Sequence, residues 1–436
     1  MINIKEVTVY SENNRIEAKR SVGGFPTSLW ETYSAFANTM GGVILLGVDE
    51  GKDKSFKTVK LPDPEMLVRT LREGIAGGEV SVDILREDSV RIEQIGPHRI
   101  VVIEIPRAPR ELRPVYIGKD PYGGSYRRNG DGDYKCSREE VDAMLRDRSC
   151  DWDYEPEELD ITALDRDSVR EFCTLAGSAD LCSLGVLTGN GNPTAAGLLM
   201  LGKFDVIRSK FPAITLTCTD SIAGKSVSDG NLFTFYRAAA ALLSASYRAE
   251  DVKAAICEAV INALIHAEYR FDSRGSGGFC GVRIERGGGM LLVTNSGCPL
   301  PGSEAALAAG IREERNPGIA RMFRAIGATG GEGTGLASII AVWKRRGYAK
   351  PRLIELFSPD KTMLILPLKG KGACLPCDDS LCRAAVIDYI TSKIKATVDE
   401  LSTDLGIPRE RLDAILCVMV EESILVLRGD CYILKP

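Results

Sequence analysis

Hydrophobic residues recur along the chain at helical or strand spacing, and the spacing predicts the secondary structure. Over residues 27–39 the apolar side chains follow a period typical of a helix with one buried face. They are Leu29, Tyr33, Phe36 and Met40. Gly41 and Gly42 are predicted to end this helix. The run 43–48, VILLGV, is short and begins and ends in valine, which predicts a strand that is buried on both faces.

The rest of the chain mixes helical and strand patterns in the same way. Helices are predicted at 232–247, 251–268 and 336–346, and strands at 99–106, 281–286 and 290–296. The last 56 residues show three helices, at 381–393, 397–405 and 408–421, and two short strands around a Gly-Asp turn. This order predicts an α+β multidomain protein that ends in a winged helix.

Polar segments indicate where domains begin and end. The chain has 436 residues, which suggests about three domains. An acidic stretch at 147–160 and a linker at 371–379 divide it. We therefore predict four parts. They are a domain at 1–148, a connecting region at 149–249 packed against the next module, a module at 250–370 and a winged helix at 378–436.

Composition limits the location and the partners of the protein. The net charge is −5, so nucleic-acid binding would need a local basic patch. The 13 cysteines follow no spacing typical of a disulfide framework, which favours a reducing compartment. No apolar run has the length of a signal peptide or a membrane span. We expect a cytoplasmic protein without membrane attachment.

Three polar side chains lie on one face of the predicted helix 251–268. Glu258, Asn262 and His266 are four residues apart, and the residues between them are apolar. Burying these groups without partners is costly, and a magnesium nucleotide would supply partners. Asn262 offers an oxygen to the metal, and Glu258 can orient or deprotonate an attacking water. The alternative is that these groups pair with neighbours in a core.

Two later turns add to this hypothesis. Asn295 and Gly297 follow a strand, where the backbone could approach a base or ribose. A glycine-rich segment then opens a helix, and free backbone N–H groups at such a helix start favour phosphate. This segment contains Gly331, Gly333, Thr334 and Gly335.

These motifs together resemble the GHKL-type ATPases, and more closely the divergent ATP-binding module of bacterial transcriptional regulators. That module has the order E-x3-N-x3-H, an N-S/P-G turn, R-N-P and G-T-G. Here the third element is Arg315-Asn316-Pro317. The resemblance covers about 250–370 and implies a GHKL-like α/β sandwich that binds ATP and Mg²⁺. It adds Arg315 and Asn316 to the binding residues, makes Glu258 the base of a weak ATPase, and implies a homo-oligomer.

Carboxylates near the N-terminus form a second candidate site. Glu17 and Lys19 share a face of a strand, Glu12 precedes them, and Asp49 follows the run 43–48. The segment AFANTMGGVILLGVDE and this acidic pattern resemble the Schlafen-type Alba-like domain over about 10–135. The resemblance implies an α/β fold and nucleic-acid binding, and in some members metal-dependent RNA cleavage. Ion pairing within the protein is the alternative for these carboxylates.

Two basic segments are candidates for contact with DNA or RNA. The first interleaves cations with tyrosines, which suits a backbone-binding groove, although a solvated loop would look the same. It contains Arg107, Arg110, Arg113, Lys119, Arg127 and Arg128. The second is the third helix of the winged-helix pattern, with Arg409 and Arg411, where acidic neighbours equally suit dimerisation or protein binding.

The joint order of these parts resembles bacterial ATP-binding transcriptional regulators. The first hypothesis is a regulator that binds nucleic acid and changes its arrangement or assembly with ATP. A metal-dependent nuclease controlled by ATP is the second. A protein-interaction scaffold with a degenerate nucleotide site is the third.

Overall fold

The chain forms two compact units, residues 1–148 and 149–436, in a computed structural model. The structure describes most of both units. The described residues are 15–50, 56–129, 132–149, 151–270, 280–287, 289–300, 313–329, 335–356, 360–368, 382–383, 385–387, 389–390, 395–405 and 407–434.

A four-stranded sheet in the order β1-β2-β6-β5 organises the first unit. Its strands are β1 (Ile16–Lys19), β2 (Gly42–Leu46), β5 (Val90–Ile95) and β6 (His98–Ile105). β1 runs parallel to β2, and the other pairs are antiparallel. Side chains alternate between the two faces of a strand, so Ile44 and Leu46 enter one hydrophobic cluster while Val43 and Leu45 enter another. The run of apolar residues in β2 therefore reflects burial on both faces.

Two hairpins and four α-helices complete the described part of the first unit. The hairpins are β3 (Val48–Glu50) with β4 (Phe56–Thr58), and β7 (Tyr126–Asn129) with β8 (Gly132–Lys135). The helices are α1 (Leu29–Asn38), α2 (Pro64–Gly77), α3 (Pro121–Gly124) and α4 (Arg138–Arg146). α1 packs its apolar side against the sheet through Tyr33 and Phe36, which are fully buried.

The segment AFANTMGG has a structural explanation. The buried Asn38 amide donates to the carbonyls of Val115 and Tyr126, and its oxygen accepts from the Val115 N–H. Gly41 has φ +70°, and a Cβ there would lie 2.8 Å from the Ile105 oxygen. Only glycine fits this turn. The motif therefore fixes how α1 is joined to β2.

A six-stranded sheet in the order β10-β9-β11-β12-β14-β13 organises the second unit. The strands are β9 (Ile214–Asp220), β10 (Lys225–Ser228), β11 (Cys280–Gly287), β12 (Met290–Ser296), β13 (Arg352–Leu356) and β14 (Lys361–Pro367). β9 and β11 are parallel, and the remaining neighbours are antiparallel. β12 is buried along its whole length because both faces of the sheet are covered.

Helices cover one face of this sheet. They are α5 (Arg166–Ala176), α6 (Ala195–Leu201), α7 (Phe204–Lys210), α8 (Leu232–Ser244), α9 (Glu250–His266), α10 (Pro317–Ala325) and α11 (Gly335–Arg345). Leu291 and Val293 of β12 share one hydrophobic cluster with α8, α9 and α11. Residues from 149–249 belong to the same cluster, so this connecting region shares a core with the sheet.

The C-terminal residues cover the opposite face. They form β15 (Ala396–Thr397), α12 (Val398–Leu405), α13 (Arg409–Glu421), β16 (Leu425–Arg428) and β17 (Cys431–Leu434), with a three-stranded sheet in the order β15-β17-β16. Met290 and Leu292 of β12 pack in one cluster with Tyr389, Leu401 and Leu416. The C-terminal part therefore shares a core with the six-stranded sheet.

Two elements end earlier than the sequence pattern predicts. The predicted strand 43–48 is interrupted at Gly47, whose φ is +90° and where a Cβ would lie 2.9 Å from Leu61. The predicted helix 251–268 ends at His266. The Asn316 amide donates to the carbonyls of Ile265 and Ala267 and so satisfies that end of the helix.

Candidate functional site

The three polar residues predicted on one helix lie together on α9. Glu258, Asn262 and His266 are half-buried, and the six residues between them are almost all fully buried. α9 is apolar on most of its surface because it lies between the sheet and neighbouring helices. The polar stripe is therefore the side of α9 that the core leaves partly open.

Gly335 brings the start of α11 against this stripe. A Cβ on Gly335 would lie 2.6 Å from Nδ2 of Asn262 and 2.7 Å from Oε1 of Glu258. Such distances are below van der Waals contact, so a larger residue would displace one of these groups. The sequence elements 258–262 and 335, which are more than 70 residues apart, meet here. Gly331, Gly333 and Thr334 lie outside the described residues.

The side chain of Asn262 is available for hydrogen bonds to a ligand. Among the described residues no hydrogen bond to the Asn262 side chain occurs. The first backbone N–H groups of an α-helix have no partner within that helix, and the helix dipole favours an anion beside them. An amide oxygen and a helix N-terminus at one place suit a magnesium ion with phosphate.

His266 is uncharged at neutral pH. Burial lowers the pKa of its imidazole to about 4, and the nearby positive charge of Arg315 adds to this effect. A neutral imidazole can donate one hydrogen bond and accept another. His266 therefore offers polar contacts at this end of the stripe without adding a positive charge.

Arg315 and Asn316 form hydrogen bonds within the protein, and their role as ligand contacts stays a prediction. The buried Arg315 donates to the carbonyls of His266, at 3.1 Å, and Cys298, at 2.7 Å. Asn316 is fully buried, and its oxygen accepts from the Trp152 indole N–H at 3.0 Å. Together with its two bonds to the end of α9, both donor positions and one of the two acceptor positions of this amide are occupied. These two residues fix the end of α9.

Asn295 and Gly297 lie where β12 leaves the sheet. Asn295 is buried, and alternation places it on the same face as Leu291 and Val293, which is the face that α9 covers. Its amide donates to the adjacent carbonyl of Ser296. Gly297 has φ +83°, and a Cβ there would lie 3.0 Å from the Arg315 guanidinium. The glycine is therefore required by the packing of Arg315.

The acidic candidates of the first unit are placed in an ion-pair network. Glu17 lies 2.9 Å from the Lys19 amine and 2.8 Å from the Arg128 guanidinium. Arg128 also lies 3.0 Å from Asp133. Asp49 is on β3, opposite Lys57, and Glu12 lies outside the described residues. Within the described part of the chain, no three His, Cys, Asp or Glu side chains are placed to hold a metal.

The predicted basic patch of the first unit is not continuous at the surface. Arg113, Arg127 and Arg128 are buried, and Arg128 also lies over the Phe36 ring. Buried arginines cannot contact a nucleic-acid backbone without rearrangement, so the structure corrects the prediction for these three. The half-buried Arg107 and Arg110 and the exposed Lys119 remain as candidates.

Arg409 and Arg411 lie at the start of α13. Arg409 is exposed and forms an ion pair with Asp399. Arg411 is half-buried. Glu410 and Asp413 are exposed between and after them, so the positive charge is largely compensated.

Asp153 is a buried titratable group that its sequence context does not reveal. It is fully buried, and its Oδ2 accepts from the N–H groups of Gly318, at 2.8 Å, and Ile319, at 3.1 Å, at the start of α10. Burial raises the pKa of this carboxyl to about 7 despite those bonds. An acidic residue in an acidic stretch carries no sequence signal that would single it out.

Comparisons with known proteins identify the first unit. Residues 12–137 match the family described as Schlafen, AlbA_2. The N-terminal domain of a RecG-related protein from Nitrosomonas europaea is 34% identical, with coverage of 30% of this chain and 90% of that domain and a TM-score of 0.24. The DIP2311 protein from Corynebacterium diphtheriae is 17% identical, with coverage of 99% of this chain and 83% of that chain and a TM-score of 0.40.

No curated protein matches the chain. None of the helices in the described residues is both long and apolar enough to cross a membrane. The family match lies within the first unit. For the second unit, the contacts around α9 are the observations that bear on function.

Proposed function

Because residues 12–137 match the Schlafen AlbA_2 family, we propose that this chain is a nucleic-acid-binding protein whose second unit binds ATP with Mg²⁺. Nucleotide binding would alter the conformation or assembly of the protein, as expected of an ATP-dependent regulator. The GHKL-like and winged-helix assignments of the second unit, and the Alba-like assignment of the first, are part of this proposal.

The contact of Gly335 with Asn262 and Glu258 carries the nucleotide part of the proposal. It joins a helix N-terminus, an amide that makes no side-chain hydrogen bond to the described residues, and a carboxylate at one place. The first two suit a phosphate and its metal, and the carboxylate suits a water beside the phosphate. Asn262 makes no side-chain hydrogen bond to the described residues, so its amide can bond a ligand at this half-buried position.

Each residue has a defined part in this proposal. The Asn262 oxygen would hold Mg²⁺, and N–H groups at the start of α11 would donate to phosphate oxygens. When bound, the metal would supply positive charge that neutralises the phosphates. Glu258 would orient water for slow hydrolysis, and the neutral His266 would bond to the nucleotide without competing with the metal.

Titration calorimetry with ATP–Mg²⁺ tests nucleotide binding. We expect saturable heat for the unmodified chain and a loss of affinity of about tenfold or more for Asn262→Ala, or some 1.4 kcal/mol. Lys253→Ala, at a half-buried position of the same helix where the amine pairs with Glu250, is the control and should bind normally. No heat with the unmodified chain, or equal affinity for Asn262→Ala, would refute the proposed site.

The first unit is proposed to contact a nucleic-acid backbone through Arg107, Arg110 and Lys119. Phosphate contacts weaken as salt increases, because binding releases counterions. Single-stranded RNA, single-stranded DNA and duplex DNA should therefore be compared at two salt concentrations, with and without ATP. Lys119→Gln should reduce the salt dependence, whereas Lys57→Gln on the β3–β4 hairpin serves as a control. Binding that is independent of salt would contradict these contacts.

A further inference from the structure

α13 has one buried face and one face open to solvent. Its buried residues pack in the cluster that joins the C-terminal part to β12. They are Leu412, Ile415, Leu416 and Met419. The opposite face is exposed over three turns and contains Glu410, Asp413, Ala414, Cys417, Val418 and Glu421. We refer to these six residues as the α13 outer face.

The α13 outer face combines acidic and apolar groups. Three of its six side chains are carboxylates, and the other three are small and apolar or weakly polar. Val418, the largest of the three, is 42% exposed. Tyr432 of β17 packs against the cluster that contains the buried face of α13.

The segment that surrounds α13 is also negatively charged. Residues 396–433 contain three arginines and eight carboxylates. Arg409 and Asp399 form an ion pair and compensate each other, which leaves two arginines and seven carboxylates in this segment. Duplex DNA carries one negative charge for about every 1.7 Å of its axis, so this surface would repel it.

Self-association through the same face is also unfavourable. In an antiparallel pair of α13 helices, Glu410 of one copy would lie near Glu421 of the other, since both are on the midline of the exposed face. Like charges at such a contact are destabilising. A complementary partner must instead bring positive charge together with apolar side chains.

We propose that the α13 outer face binds a basic amphipathic segment of another protein. Lysine or arginine side chains of that segment would pair with Glu410, Asp413 and Glu421, and its apolar side would cover Ala414 and Val418. This interaction is independent of the nucleotide proposal. The partner would, however, lie on the domain that packs against β12, one layer from α9.

The test uses the full chain and a fluorescent amphipathic peptide of lysine and leucine, about 18 residues long, which forms a basic helix. Its glutamate–leucine counterpart and a duplex DNA are the comparison probes. We expect fluorescence anisotropy to show binding of the basic peptide that weakens with salt, and no binding of the acidic peptide. Glu410→Lys/Glu421→Lys should weaken peptide binding about tenfold or more.

Asp167→Lys/Glu171→Lys is the matched control, because it makes the same change of charge on the exposed side of α5. This variant should change the affinity by less than about twofold, which is the effect expected of net charge alone. If the lysine variant of α13 does not fold, Glu410→Gln/Glu421→Gln replaces it, with a smaller expected loss.

Three outcomes would overturn the proposal. One is an equal effect of the α13 and α5 variants on peptide binding. Another is that duplex DNA displaces the peptide from the unmodified chain but not from the α13 variant. The third is a concentration-dependent dimer, seen by sedimentation, that the α13 variant abolishes. A failure of ATP binding would not affect any of these measurements, so the two proposals fail separately.

Discussion

The Glu17 carboxylate lies 2.8 Å from the guanidinium of Arg128, and the Arg128 side chain is 1% exposed. This pair links β1, at the edge of the four-stranded sheet, to β7. Asp133 on β8 and the Phe36 ring on α1 complete the surroundings of the guanidinium. Three of the residues predicted to cleave or bind nucleic acid, Glu17, Lys19 and Arg128, are therefore part of the internal framework of the first unit.

Arg128→Met is expected to destabilise the first unit strongly. It leaves the carboxylates of Glu17 and Asp133 without this partner, and breaking a buried ion pair costs about 3–5 kcal/mol. Urea unfolding followed by circular dichroism measures the loss. Arg99→Met removes an arginine from an exposed pair with Glu65 and should leave the unfolding midpoint nearly unchanged. Similar midpoints for the two variants would contradict the network's structural role.

Asn316→Ala is expected to cost about 2–3 kcal/mol of unfolding free energy. It leaves the carbonyls of Ile265 and Ala267 and the indole N–H of Trp152 without their bonds in a buried place. Asn192→Ala is the control, because it also removes an amide but from a half-buried loop, and it should lower the unfolding free energy less. A variant that keeps full stability but no longer binds ATP would show that Asn316 contacts the ligand.

His266 should make the second unit less stable in acid. Its folded pKa of about 4 is below the ordinary 6.5, so the unfolded chain binds more protons between these values. The stability contribution is present above pH 6.5 and is lost as the pH falls toward 4, by at most about 3 kcal/mol. His266→Gln should remove this decline in denaturant titrations across that range, whereas His98→Gln should retain it.

Asp153 should make the second unit less stable as the pH rises. Its folded pKa of about 7 exceeds the ordinary 3.8, so the folded chain binds more protons between these values. Its contribution to stability is present below pH 3.8 and is lost as the pH rises through 7, by at most about 4 kcal/mol. Asp153→Asn should therefore gain stability relative to the unmodified chain as pH increases. A pH-independent difference between the two would contradict this.

Local patterns were sufficient to predict several elements of the site. The spacing of Glu258, Asn262 and His266 placed them on one helical face, and the run that became β2 was recognised by its length and composition. The Schlafen-type resemblance of the first unit agrees with the family match. These features depend on neighbours within a few residues, which a sequence displays directly.

Partners that are distant in sequence could not be predicted in this way. Arg128 belonged to a basic run, yet its environment is set by Glu17 and Phe36, about 100 residues away. Asn316 belonged to a motif associated with ligands, but the fold brings it to the end of α9 and to Trp152. The acidic stretch at 147–160 was predicted to be a boundary, and it also supplies the buried Asp153.

Affinity of the Gly335→Ala variant for ATP–Mg²⁺ is the most direct test of the nucleotide site. The added methyl group would lie 2.6 Å from the Asn262 amide, so it must displace α11 or the amide. Gly189→Ala is the matched control, since a Cβ there meets no atom within 4 Å. We predict that Gly335→Ala lowers the affinity about tenfold or more while Gly189→Ala does not. Equal affinities for the two variants, measured by calorimetry, would contradict the account.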